Sequence, residues 1–222
     1  MNRLIYADNA ATTKMSQAAY EAMMRFQLID FANASQPYSF ARNAKNALKE
    51  ARETIARCIN ASPNEIFFTS CGTESDNWVI KGCKCCKIYT SLIEHHAILN
   101  ACIEVALDGT EVNYMPVNHT GIVEPQVLDG VLTENSLVSI MMANNEIGTI
   151  LPIKQLAKIA HSHHSLFHTD AVQAVGHIPV NVRELDVDFL SASAHKFNGP
   201  KGIGFLYIKD GIKINPLISG GT

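Results

Sequence analysis

Apolar and polar positions along this chain follow two periods in turn. Phe40, Ala44, Ala47, Leu48, Ala51, Ile55 and Ile59 recur at helical spacing and predict a long helix with one apolar face. Ser16 reads as the N-cap of another helix over residues 17–29. From there short apolar runs interleave with helical stretches. Residues 65–69 (EIFFT), 87–91, 111–115, 137–142 (LVSIMM, the most strand-like run) and 166–169 predict strands. Helices are expected over 73–81, 95–107, 125–132 (weakly) and 153–163, the last opened by Pro152.

Strand–helix alternation of this kind argues for a parallel sheet with right-handed crossovers. One connection breaks it. Residues 187–193 and 203–208 both read as strands, yet the intervening stretch is too short for a parallel crossover, which takes a dozen or more residues. The expected sheet is therefore mixed: mostly parallel, with one antiparallel strand. Neither an internal repeat nor a Gly/Ser-rich linker divides the chain, so residues 1–15 are read as an N-terminal arm and 16–222 as one domain.

Composition narrows the classes without choosing among them. The 222 residues are 47% hydrophobic and 18% charged, enough apolar material for a substantial core. A net charge of −3 with no basic block gives no sign of nucleic-acid binding. The apolar runs are too short to span a bilayer. Residues 1–14 lack the basic-then-apolar pattern of a secretory signal, so the cytoplasm is the expected compartment. Of six cysteines, Cys83, Cys85 and Cys86 are spaced to hold a soft metal, but no matching Cys or His pair completes zinc-type spacing. A helix-to-strand turn with reduced thiols is the simpler reading, and no metal site is expected. Cys58 and Cys102 read as packed helix residues.

In open α/β sheets ligands bind beyond the carboxyl ends of the strands. Here five such ends carry polar groups: 70–75 (SCGTES), Glu94-His95, 144–146 (NNE), Asp170 with Gln173, and 193–196 (SAHK). The turn at 70–75 enters a helix, whose free N–H groups with the Thr73 hydroxyl suit a phosphate; an ordinary capping box explains it equally. Asp170 suits either a helix N-cap or a carboxylate that holds a pyridinium nitrogen protonated. Gln173, three residues on, could donate to a ring oxygen. His95 is either a helix-start residue or a ring stacked on an aromatic cofactor. His96, His161, His163 and His164 read as surface residues. Lys196 is the sharpest candidate: it follows a strongly apolar strand and has His195 and Ser193 beside it. A free lysine, with a pKa near 10.4, is only about one part in 10³ neutral at pH 7, so an imine-forming lysine needs burial or nearby cations such as His195 or Lys201.

Taken in order, 6–13 (YADNAATT), 68–77 (FTSCGTESDN), Glu94-His95, 144–148 (NNEIG), 168–173 (HTDAVQ), 191–196 (SASAHK) and 199–204 (GPKGIG) closely resemble the cysteine desulfurases of the NifS/IscS type. These belong to the class V aminotransferase group of fold-type-I enzymes dependent on pyridoxal 5'-phosphate (PLP). The resemblance runs over nearly the whole chain. It implies a three-layer α/β/α large domain in which Lys196 holds PLP as a Schiff base and moves the substrate Cα proton. Asp170 would pair with the pyridine nitrogen, His95 would stack on the ring, and Asn145 and Gln173 would lie near the ring hydroxyl. Gly72, Thr73, Ser193 and His195 would bind the phosphate. The implied reaction takes L-cysteine to L-alanine, leaving sulfur as an enzyme persulfide for iron–sulfur cluster or thio-modification pathways. A homodimer and a sulfur-acceptor protein are the implied partners.

Three departures bear on this. Residues 32–38 (ANASQPY) depart from the family's Gly-Asn-Pro-Ser-Ser loop, and Cys71 stands where a glycine is usual, which implies a change in backbone freedom. Family members also continue past Gly220-Gly221-Thr222 into a small domain with the nucleophilic cysteine loop and a carboxylate-binding arginine. None of the six cysteines matches that nucleophile's position, so the chain is read as a cysteine desulfurase polypeptide lacking the nucleophilic loop, for which PLP binding but not desulfuration is expected if these residues are the whole protein. Another class V activity (selenocysteine lyase or aminotransferase) and a non-catalytic PLP-binding remnant remain the alternatives.

Overall fold

The computed structural model describes residues 5–220. The strands are β1 (Ile66–Thr69), β2 (Lys87–Ser91), β3 (Glu111–Met115), β4 (Leu137–Ser139), β5 (Leu166–Asp170), β6 (Phe189–Ser193) and β7 (Gly204–Ile208). Between them come α1 (Gln17–Leu28), α2 (Arg42–Cys58), α3 (Gly72–Gly82), α4 (His96–Leu107), α5 (Pro125–Val131), α6 (Ile153–Ser162) and α7 (Val182–Leu185). All seven strands form one sheet in the order β1-β7-β6-β5-β4-β2-β3, parallel except for β7, which runs antiparallel to both neighbours. The short link after β6 has the consequence expected of it.

Strand side chains alternate between faces, and here both faces are buried. Tyr89, Val138, Phe167, Leu190 and Tyr207 join one core with residues of α2, α5 and α6. Their chain neighbours Ile88, Leu137, Phe189, Leu206 and Ile208 join a second core with Val79 and Ile80 of α3 and Ile98, Ala101 and Cys102 of α4. Two cores, one on each face of a single sheet, make a three-layer α/β/α architecture.

Several elements differ from the sequence reading. The LVSIMM run forms a strand only over its first half, although Ile140 and Met142 N–H still donate to His168 and Asp170 carbonyls. The chain there is leaving the sheet toward the loop at Asn144. The helix predicted from Phe40 begins at Arg42 after a 3-10 turn over Ser39–Ala41. Residues 171–177 form turns rather than a helix. Ser16 caps α1 as expected, its Oγ accepting from Ala19 N–H at 3.1 Å, yet α1 buries none of its residues. Cys58, read as packed, is exposed, whereas Cys102 is buried. Among the described residues no helix is long and apolar enough to cross a membrane, and no cluster of potential ligands could hold a metal ion.

His161, read from sequence as a surface residue, is instead the centre of an ionic clamp. Its Nδ1 lies 3.1 Å from Asp186 and its Nε2 2.8 Å from Asp188; Lys209 also reaches Asp186 at 2.7 Å. Asp188 further accepts from Phe167 N–H at 2.8 Å, so the clamp ties α6 to the sheet. Hydrogen bonding to Asp188 is the main cause that raises the His161 pKa above 6.5, against partial desolvation. A raised folded-state pKa means the folded form binds the extra proton. The clamp's contribution is therefore complete below about pH 6.5 and is lost as pH rises through the folded value. Urea midpoints of the parent and His161→Gln should differ most below about pH 6.5 and draw together as pH rises further; a gap that is flat or grows with pH refutes this. The size expected for a partly exposed cluster is on the order of 1 kcal/mol or less.

Candidate active site

A cavity of about 490 Å³ opens at the carboxyl ends of the central strands, where the fold class places ligand sites. Its wall collects residues from every polar strand end picked out in the sequence: Gly72 and Thr73, His95, Asn145, Asp170 and Gln173, and Ser193, His195 and Lys196. It also takes in Glu146 of the 144–146 strand end, and Asp8, Ala10, Ala11 and Asp76, which the sequence reading placed in matching segments without giving them a role. Those from the arm carried no separate chemical signal, since backbone carbonyls leave none in a sequence. Asp76 did carry one: on α3 it lies three residues after Thr73 and thus on a neighbouring face.

Lys196 lies in a 3-10 turn, Ala194–Lys196, that follows β6 directly. Its half-buried amine donates to the carbonyls of Ala10 at 2.5 Å and Ala11 at 3.0 Å. Desolvation lowers its pKa, opposed by the carboxylates of Asp170 and Asp8. The arm is fastened over this turn. Thr13 N–H and Oγ1 both donate to the His195 carbonyl at 2.8 Å, and Gln173 Nε2 donates to Ala10 O at 2.8 Å. His195 Nδ1 pairs with Thr12 Oγ1 at 3.0 Å. Burial lowers the His195 pKa, helped by Lys196 and Lys201, so the ring is neutral at pH 7.

Asp170 ends β5 and is buried, 5% exposed. Its Oδ1 accepts from Val172 N–H at 2.9 Å, a local cap of the kind anticipated, although no helix follows. Desolvation raises its pKa; the Val172 bond and the nearby His95 and Lys196 act the other way. A cation arriving here would meet a carboxylate with little water to screen it. His95 is the helix-start residue of one of its readings, its Nδ1 accepting from Ala97 N–H at 3.1 Å as the N-cap of α4, and it also lines the cavity.

The opposite end of the cavity suits an anion. The N-terminus of α3 points its first N–H groups there, and Gly72 lies so close to the neighbouring turn that a Cβ would come within 2.5 Å of Val172 Cγ2. Ser193, 2% exposed, faces the same corner with a buried hydroxyl that has no hydrogen-bond partner. An orphaned hydroxyl beside free helix-start N–H groups is the arrangement a phosphate would satisfy. The capping-box reading is half realised: Glu74 accepts from Ser70 N–H at 2.7 Å, but the N-cap residue Cys71 makes no side-chain cap bond. Cys71 has φ −172° and ψ 174°, extended backbone that any residue adopts, so its replacement of glycine costs no conformational freedom. The glycine that matters is Gly204, where a Cβ would sit 2.5 Å from Ala192 O and 2.9 Å from Cys71 C. It lets the 70–72 turn press against β7, next to Ser193.

The curated cysteine desulfurase IscS of Dictyoglomus turgidum is 52% identical to the chain, and that of Methanosarcina thermophila 48%. Each alignment covers all of this chain but only 58% and 56% of the relative, so the chain spans little more than half the length of those proteins. Among solved structures, a NifS-like protein superposes with a TM-score of 0.95 at 41% identity, covering 98% of this chain and 62% of that one. SspA in complex with cysteine gives 0.95 at 38% identity, covering 98% and 65%. The model of the family Aminotransferase class-V matches residues 5–222, and the chain accordingly belongs to that family.

Proposed function

We propose that residues 16–222, preceded by an N-terminal arm (1–15) of which residues 8–13 cover the site, form the PLP-binding large domain of a cysteine desulfurase. The observation that carries the reading is one cavity holding an amine (Lys196), a buried carboxylate (Asp170) and an orphaned hydroxyl at a helix start (Ser193). Those three match the aldehyde, the ring nitrogen and the phosphate of PLP. When bound, the cofactor supplies an electron sink for charge that develops at the substrate Cα.

Each residue then has a task its surroundings support. Gly72 and Thr73 N–H groups, Ser193 Oγ and His195 hold the phosphate. Asp170 stays ionised against the ring nitrogen and keeps it protonated. His95, on the cavity wall, would stack on the ring and exclude water from one face, while Asn145 and Gln173 would donate to the ring hydroxyl. Lys196 Nζ, biased toward the neutral amine by desolvation, would attach the cofactor and carry the substrate Cα proton.

The substrate reading, L-cysteine to L-alanine with sulfur retained as a persulfide, draws on the relatives named cysteine desulfurase and on the neighbour in complex with cysteine. Cys71 is the one thiol among the described cavity residues, and by the family resemblance none of the six cysteines stands at the nucleophile's position. Sulfur transfer is accordingly proposed for the protein at its relatives' full length, as a cytoplasmic homodimer serving a sulfur-acceptor protein. Full-length gene product given PLP and L-cysteine should release alanine in step with sulfur. Alanine from selenocysteine alone would make it a selenocysteine lyase; PLP binding with no turnover of either would reduce it to a cofactor-binding remnant.

A further inference from the structure

Below Asp170 the site contains more buried acid than its cations can balance. Asp76 on α3 is 1% exposed and Glu94, after β2, is 5% exposed. The three carboxyl groups are provided for unequally. Glu94 accepts from Met141 N–H at 3.0 Å on both oxygens and from Ser91 Oγ at 2.5 Å. Asp170 has the Val172 N–H and the nearby charges of Lys196 and His95. Asp76 has no backbone donor among the described residues, and its Oδ1 lacks any partner although it lies at the cavity wall.

The groups facing Asp76 give no compensating charge. From β5 comes the His168 ring, with Nε2 3.7 Å away. That ring is fully buried and already paired, Nδ1 with Ser139 Oγ at 2.9 Å and Nε2 with Ser191 Oγ at 3.0 Å. Burial pushes its pKa down to about 3, so no ion pair forms there. The β6 side contributes the Ser191 hydroxyl, and Asp170, Glu94 and Cys71 are acidic neighbours. Burial, with the Asp170 and Glu94 charges, pushes the Asp76 carboxyl well above the usual range. An ionised carboxylate with one bare oxygen would be costly here, whereas a neutral acid brings its own donor.

We propose, resting on the PLP reading above, that Asp76 is a positioning residue: a neutral carboxylic acid whose proton leaves Asp170 as the ionised group beneath the ring nitrogen. It touches neither the reacting atoms nor the substrate. Its role is to pack against the Ser191–His168 pair without adding a second negative charge.

Carbon-13 NMR of side-chain carboxyls in the full chain tests the protonation directly, with Asp76→Asn assigning the signal by its loss. The signal should keep the position of a protonated acid through pH 7; an ionised position at neutral pH overturns the proposal. That measurement needs no cofactor, so it separates this inference from failure of the PLP reading. The positioning role is read from the pH midpoint of PLP absorbance in the loaded protein. Asp76→Ala should move the midpoint by about half a pH unit or more, and Asp76→Asn, also neutral and able to donate, should restore it. A shift in the asparagine protein as large as in the alanine protein, or none in either, overturns the role. Asp76→Ser replaces alanine if that variant is not recovered folded.

Discussion

Lys196→Ala is expected to abolish covalent retention of PLP and to lower turnover of the full-length protein by about 10³-fold or more. The expectation follows from the position of Nζ, which reaches the Ala10 and Ala11 carbonyls at the cavity wall and feels the Asp170 carboxylate from beyond ion-pair distance. Among the described residues no other lysine lines this cavity, so no neighbouring amine there can take over the attachment. The check is the absorbance of protein dialysed against buffer after loading with PLP. Retained absorbance in the alanine variant, resistant to dialysis, would show that another group holds the cofactor. The fold should be unaffected, because Lys196 is half-buried and its loss leaves two carbonyls at a cavity that admits water.

Asp170→Asn carries the second largest expected effect, a loss of about 10²–10³-fold in turnover, on the scale of removing one buried electrostatic contact to developing charge. An amide fills the same space and can accept a hydrogen bond, but it cannot hold a ring nitrogen protonated. Stability should move in the opposite sense. Burial raises the Asp170 pKa, so the ionised group is costly to the apo fold, and a neutral isostere removes that cost. Urea unfolding of apo protein should show the variant as stable as the parent or more so, while the loaded full-length enzyme loses rate. Equal loss of stability and activity would assign Asp170 a packing role instead.

The site was legible in the sequence to the extent that strand ends could be found. Asp170, Ser193, His195 and Lys196 each follow an apolar run, and the carboxyl end of a strand in an open sheet is a ligand position whatever the ligand. Their convergence was not legible from any one segment; it depends on β5 and β6 being adjacent and on α3 pointing its N-terminus at Ser193. The clamp at His161 was missed for a related reason. Its partners Asp186 and Asp188 lie 25 and 27 residues away, and nothing local marks them. Asp76 was missed because a carboxylate in the first turns of a helix reads as ordinary dipole complementarity. Only its burial makes it unusual.

The chain's alternation of apolar runs and helical stretches determined the class of fold, and the short link between the last two strands determined the antiparallel one. Both follow from chain-local geometry: a period of two or of 3.6, and the reach of a few residues. Tertiary structure alone decided that LVSIMM leaves the sheet halfway, that residues 8–13 cover Lys196, and that three acids share one buried floor. Those outcomes depend on what solvent each group loses and which partner replaces it, and such partners come from segments far apart in sequence.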